Sequence, residues 1–129
     1  MKILDSDHCV ALLRGDLNLR GQTAPTEELA VTAISVGELL HGVYKSARLP
    51  QNLARFDVLL AGLTVLPYDE VAAHQFGLLK ASLEREGRRL SDLDLQIASI
   101  ALQHHAPLIT HNQRHFERVP QLILEDWLA

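Results

Sequence analysis

Residues 91–117 read SDLDLQIASIALQHHAPLITHNQRHFE, and this stretch decides the fold class. Ser91 and two carboxylates, Asp92 and Asp94, stand at the head of an apolar-periodic run, as at a helix N-terminus. The run stops at Pro107 and hands over to a short apolar strand at 108–110. Past it lies the polar run Thr110-His111-Asn112-Gln113-Arg114-His115. Acids at a helix start and polar residues just beyond a strand end mark a site at the carboxyl edge of an α/β sheet.

Working outward, the same alternation recurs. Lys2-Ile3-Leu4 reads as a buried first strand, followed by Asp5-Ser6-Asp7 and a short helix over 8–14 that Gly15 ends. A polar loop covers 15–28, and the β-branched run 29–34, LAVTAI, is a second strand. Ser35 starts a helix through 48, with Val36, Leu39, Leu40 and Val43 on one face. Gly37 and Gly42 inside it each cost about 1 kcal/mol against alanine, so this helix is expected to pack closely against something. Pro50 opens a helix that Gly62 ends, and 64–66 is a third strand. Asp69 caps a long helix to 86, with Val71, Ala72, Phe76, Leu79 and Leu83 inward. Gly87-Arg88-Arg89 is a basic turn into the central stretch, and 122–124 is a last strand. The class is α/β with a mostly parallel sheet, in one domain over 1–129.

The bulk numbers restrict function. Of the 129 residues 47% are hydrophobic but only 5% aromatic, so Leu, Ile, Val and Ala must fill the core. A net charge of −4 gives no global nucleic-acid signature, although an acidic site that holds cations would itself depress the net charge. A single cysteine, Cys9, leaves no internal disulfide and fits a reducing cytosol. The start, MKILDSDH, has no signal-peptide core, and no apolar run approaches the ~20 residues of a membrane span. A cytoplasmic protein with no membrane segment is expected.

Each acid near a strand end or helix start has two readings. Asp5 follows the first strand, where a parallel sheet presents ligand groups, but it or Ser6 also suits the cap of the next helix. Asp7 is an auxiliary ligand or a first-turn acid favoured by the helix dipole. Glu38 completes Ser35-Val36-Gly37-Glu38, which matches a capping box, and Ser91-Asp92-Leu93-Asp94 is a looser one. Helical phase separates the last two aspartates. Asp94 shares its side with Ile97, Ala98 and Ala101, at the margin of the core; Asp92 shares a mostly polar side with Leu95, Gln96, Ser99 and Gln103. A carboxylate beside a core needs a partner, either a cation or a capped amide. Asp94 is thus the better ligand candidate and Asp92 a cap or auxiliary.

The seven histidines do not spell a zinc site. His104 and His105 are adjacent, His111 and His115 fall in a loop without cysteine, and neither HExxH nor paired Cys spacing occurs. Arg85, Arg88, Arg89, Arg114 and Arg118 flank the proposed site in sequence; singly they are solvated surface charge, and as a set they could cradle phosphates.

Five segments in order carry a resemblance: Ile3-Leu4-Asp5-Ser6-Asp7, Ile34-Ser35-Val36-Gly37-Glu38-Leu39, Asp92 through Ala98, Leu108-Ile109-Thr110-His111-Asn112, and Phe116-Glu117-Arg118-Val119-Pro120. Together with the ending Glu125-Asp126-Trp127 they resemble the PIN-domain ribonucleases of the VapC toxin type, over essentially the whole chain. The resemblance implies a three-layer α/β/α PIN fold and an endoribonuclease dependent on Mg²⁺ or Mn²⁺. It implies a homodimer held inactive by a cognate VapB-like antitoxin. The family's first-strand acid falls on Asp5, its helix-start glutamate on Glu38 and its third acid on Asp94. Its fourth polar position falls on Asn112, an amide here, with His115 near a place where an acid is common. Asp5 and Asp94 would hold metal, Glu38 would bind a second ion or orient water, and Arg114 or Arg89 would contact the RNA backbone.

The chemistry fits independently of the resemblance. Cleaving a phosphodiester requires stabilised charge on the transferring group and an ionised water, and carboxylate-held Mg²⁺ does both. Two other classes compete. A haloacid-dehalogenase-like phosphatase would use Asp5-Ser6-Asp7 with a downstream lysine, for which Lys80 is the candidate. A PIN-like module that only binds RNA or protein would keep the fold without the activity.

Overall fold

The computed structural model describes residues 1–128. The chain order is β1 (Lys2–Leu4), α1 (Ser6–Arg14), β2 (Leu29–Thr32), α2 (Ala33–Lys45), α3 (Leu49–Ala61), β3 (Thr64–Leu66), α4 (Glu70–Arg85), α5 (Asp92–Gln103), β4 (Leu108–Ile109), α6 (Gln113–Phe116) and β5 (Leu124–Glu125). The strands form one sheet in the order β3-β2-β1-β4-β5, and every pairing is parallel. This is the expected α/β/α sandwich, because alternate side chains along each strand feed two separate cores. Ile3, Ala30 and Leu108 pack with Ala72, Leu79 and Leu83 of α4 and with α5. Leu4, Val31 and Ile109 point the other way, into Cys9, Leu39, Val43 and Phe56 of α1 to α3. Ile3, Leu4, Leu108 and Ile109 are all fully buried, worth about 1.5–3 kcal/mol each, so the middle of the sheet is the rigid part.

Topology then positions the site. From β1 the chain winds outward through β2 to β3, and the later strands β4 and β5 add to the other side of β1. The reversal leaves a crevice at the carboxyl ends of β1 and β4, where α/β sheets bind ligands. Leu4 is in register with Ile109, so Asp5 and Thr110 leave the sheet side by side.

Several boundaries differ from the sequence reading. α1 begins at Ser6, two residues early, with Asp5 as its N-cap. The second strand ends at Thr32, and α2 starts at Ala33 rather than Ser35. Thr32 is the reason: its β-branched side chain suits a strand, but its Oγ1 accepts the Ser35 N–H at 3.1 Å and caps the helix. The polar run after β4 is a short helix, α6, and the last strand is shifted to Leu124–Glu125. Val71 is 59% exposed because the buried stripe of α4 runs through Ala72, Leu79 and Leu83. A Cβ added at Gly37 or Gly42 would meet nothing within 4 Å, so the close packing expected of α2 is not made at those glycines. Among the described residues no helix is long and apolar enough to cross a membrane.

Candidate active site

Asp5 is the innermost acid of the crevice, 8% exposed. Its Oδ1 accepts the Ser6 N–H at 2.9 Å and its Oδ2 accepts the Thr110 hydroxyl at 2.8 Å. The capping and ligand readings are therefore compatible, since one oxygen serves the helix and the other faces β4. Burial pushes the Asp5 carboxyl above the usual range, and the charges of Asp7 and Asp94 add to the rise, while the two hydrogen bonds oppose it. Nothing in the local sequence singles out Thr110. Its hydroxyl donates to Asp5 and accepts the Asn112 N–H at 3.0 Å, so it latches the β1 end to the loop after β4.

Glu38 comes from the second turn of α2. With Thr32 as the cap, it lies beyond the position a capping box requires, and that alternative falls. The residue as a whole is exposed, yet its carboxyl group is held above the usual range by partial burial and then by the charges of Asp5 and Asp94. Acids from β1, α2 and α5 thus share one electrostatic neighbourhood.

Asp94 sits in the first turn of α5, where the Ser91 hydroxyl accepts its N–H at 3.2 Å. The reciprocal half of a capping box is not among the described hydrogen bonds; the carboxylate instead lies 3.5 Å from His115 Nδ1. Asp92 points elsewhere, and its carboxylate pairs with Lys80 of α4 at 2.9 Å. Asp92 thus links α5 to α4. Lys80, the lysine the phosphatase reading would use, is held by this pair. Arg89 lines a hollow of about 210 Å³ with Lys80, Arg88 and Asp92, which none of the three acids lines. Arg114 is exposed on α6, next to His115.

Position 112, after the fourth strand, carries an amide and not a carboxylate. Asn112 Nδ2 lies 2.9 Å from His115 Nδ1, so an amide and an imidazole stand beside Asp94. Asp7 is tied on both oxygens, by His8 Nδ1 at 2.6 Å and by the His111 N–H at 2.9 Å. Burial pushes its carboxyl up, but these hydrogen bonds outweigh burial and hold it below the usual range. Cys9 is fully buried and its thiol is pushed up to about 12 by burial and then by Asp5 and Asp7, so it is neither nucleophile nor ligand.

Among the described residues no three His, Cys, Asp or Glu side chains are set to close on one metal ion. The donor chemistry nonetheless suits a hard divalent cation. Asp5, Glu38 and Asp94 offer only carboxylate oxygens; the charge of Asp94 raises the proton affinity of Asp5, and those of Asp5 and Asp94 raise that of Glu38.

Comparison with known proteins agrees with this architecture. The PIN domain model matches residues 2–122. Ribonuclease VapC2 of Rickettsia felis is 36% identical over 104 residues, 81% of this chain and 78% of its own length. The tRNA(fMet)-specific endonuclease VapC of Salmonella typhimurium is 35% identical over 102 residues, 79% of this chain and 77% of its own. Among solved structures, a chain of VapBC2 from Rickettsia felis, bound to a DNA fragment from their promoter, superposes with a TM-score of 0.90. That match is 31% identical and covers 98% of both chains. Parallel sheet, crevice and relatives converge: the chain belongs to the PIN domain family, in its VapC branch.

Proposed function

We propose that this protein is a divalent-metal-dependent endoribonuclease, the toxin of a toxin–antitoxin pair. The observation that supports it most is the shared electrostatic neighbourhood of Asp5, Glu38 and Asp94 at the carboxyl edge of the sheet. Asp5 and Asp94 would hold Mg²⁺ or Mn²⁺, which would stabilise charge on the phosphoryl oxygens and acidify a water. Glu38 is exposed, and its proton affinity, raised by partial burial and the charges of Asp5 and Asp94, suits it to orient a water and take a proton. Asn112 and His115 replace a fourth acid and position substrate or water, and Arg114 contacts the RNA backbone. The protein works in the cytoplasm as a homodimer, restrained by a VapB-like antitoxin.

Incubation of the purified chain with generic RNA tests this reading. Mg²⁺ or Mn²⁺ should support internal cleavage, EDTA should abolish it, and excess metal should restore it. Cleavage indifferent to EDTA, or none in any divalent metal, would return the chain to a binding module. The same assay separates the aspartates of α5. Asp92→Asn loses only an exposed, solvent-screened ion pair, so its melting point should drop slightly and its cleavage rate should stay near that of wild type. A large loss of rate in Asp92→Asn would place that residue back in the site.

A further inference from the structure

The site acids do not stand on the sheet alone; the C-terminal segment reaches them through a buried histidine. His8 is fully buried in the first turn of α1, and both ring nitrogens are engaged. The backbone N–H of Trp127 donates to Nε2 at 3.1 Å. With Nε2 accepting, Nδ1 is the nitrogen that donates, to Asp7 Oδ1 at 2.6 Å; Asp126 Oδ1 lies 3.6 Å from Nε2. The other oxygen of Asp7 accepts the His111 N–H at 2.9 Å and stands 3.4 Å from the Thr110 hydroxyl. That hydroxyl is the one bound to Asp5.

A second strand of contacts runs in parallel. The Asp126 carboxylate takes His111 Nδ1 at 2.8 Å on one oxygen and the Leu128 N–H at 2.9 Å on the other. The Trp127 ring packs edge-on to His8, with centroids 6.2 Å apart. Residues 126–127 thereby clamp both the start of α1 and the loop after β4, the two segments whose ends form the crevice.

We propose that His8 is a positioning residue for the reaction: it fixes the rotamer of Asp7, and Asp7 holds the Thr110–His111 turn where Thr110 can orient Asp5. The inference rests on the ribonuclease reading above for its kinetic consequence, but not for its geometry. Asp7 is half-buried and accepts two donors on different oxygens, so losing the His8 donor would leave one of those oxygens without its protein partner. The carboxylate would then turn toward water, release the His111 N–H and let the turn drift from Asp5.

Two near-isosteric substitutions separate the roles of the two ring nitrogens. His8→Asn keeps an N–H where Nδ1 was, so it retains the bond to Asp7 and loses the acceptor for Trp127. His8→Gln keeps an oxygen where Nε2 was, so it retains the bond to Trp127 and loses the donor to Asp7. The positioning role makes His8→Asn the less stable variant with kcat near wild type. It makes His8→Gln the more stable of the two with kcat down about ten- to hundredfold and KM unchanged, as for loss of groups that orient ligand carboxylates. A tail anchor alone would make kcat follow the melting temperature in both, and that pattern overturns the proposal. Nitrogen-15 spectra of the imidazole and exchange of the His111 amide judge the geometry without RNA. The Nδ1–H tautomer should be seen in the wild type. The His111 amide should be protected in wild type and His8→Asn but exposed in His8→Gln. An Nε2–H tautomer, or equal protection in both variants, sinks the proposal even if cleavage is robust. A wild type that cleaves no RNA sinks the ribonuclease reading instead, and the spectra still decide this one.

Discussion

Asp94→Asn should lose RNA cleavage by about three orders of magnitude, the several kcal/mol a metal supplies to a transition state, while its melting curve in EDTA stays near that of wild type. The substitution keeps shape and removes one charge. The fold should tolerate it because what α5 needs from this residue is its backbone N–H, bound to Ser91 Oγ, and asparagine retains that. Asp5→Asn should be equally inactive but is the less clean test. Asp5 accepts two hydrogen bonds on two oxygens, and an asparagine has only one oxygen to offer Ser6 and Thr110. It should therefore lose stability on the order of 1–3 kcal/mol from the unpaired group, offset by relief of a carboxylate that burial already disfavours. Single-turnover rates at saturating Mn²⁺, read beside circular dichroism, decide the matter. An Asp94→Asn protein within tenfold of the wild-type rate would remove Asp94 from the metal.

The sheet is more legible in the sequence than the site is. Residues 3–4 and 108–109 are apolar runs closed by polar residues and can be read because both faces are buried. Thr64–Leu66, an edge strand with Thr64 and Val65 exposed, is read instead from its β-branched residues and the Pro67 that closes it. Helical phase is legible too. Asp94 stands with buried Ile97, Ala98 and Ala101, whereas Asp92 leaves that side for Lys80. Local ambiguity and long-range register are what escape. Thr32 satisfies the preferences of a strand and of a helix cap at once. Sequence pattern therefore puts the start of α2 two residues late and offers Glu38 a capping role that the true cap forbids. Thr110 and Asp5 are 105 positions apart and meet only because β1 and β4 pair in one register. No local pattern announces that a threonine will face an aspartate across a parallel pair. The same holds for His8, 119 residues from the Trp127 amide that fixes its tautomer.

Mn²⁺ at about a hundredfold excess over its Kd should stabilise the wild type by roughly 2.7 kcal/mol, a rise in melting temperature on the order of ten degrees for a domain of this length. Glu38→Gln should shrink that rise, and in EDTA it should melt higher than wild type at neutral pH. The sign follows from proton linkage. The Glu38 carboxyl has its proton affinity raised in the fold by burial and by Asp5 and Asp94, so above its ordinary value of 4.5 the native state binds more protons than the unfolded chain. Stability is then lost as pH rises through the folded value, because ionising Glu38 places a third charge beside two others. Glutamine keeps the shape and escapes that loss, so in EDTA the gap between variant and wild type should widen as the pH is raised from 4 toward 7. Asp94→Asn should shrink the metal-dependent rise as well. A helix-capping role predicts a different outcome: a carboxylate that serves only as a cap costs about 1 kcal/mol when lost, with or without metal and in the destabilising direction. Thermal scans of wild type, Glu38→Gln and Asp94→Asn, in EDTA and in Mn²⁺, separate the two. An unchanged metal shift in both variants would mean that Asp5, Glu38 and Asp94 share a crevice but not a cation.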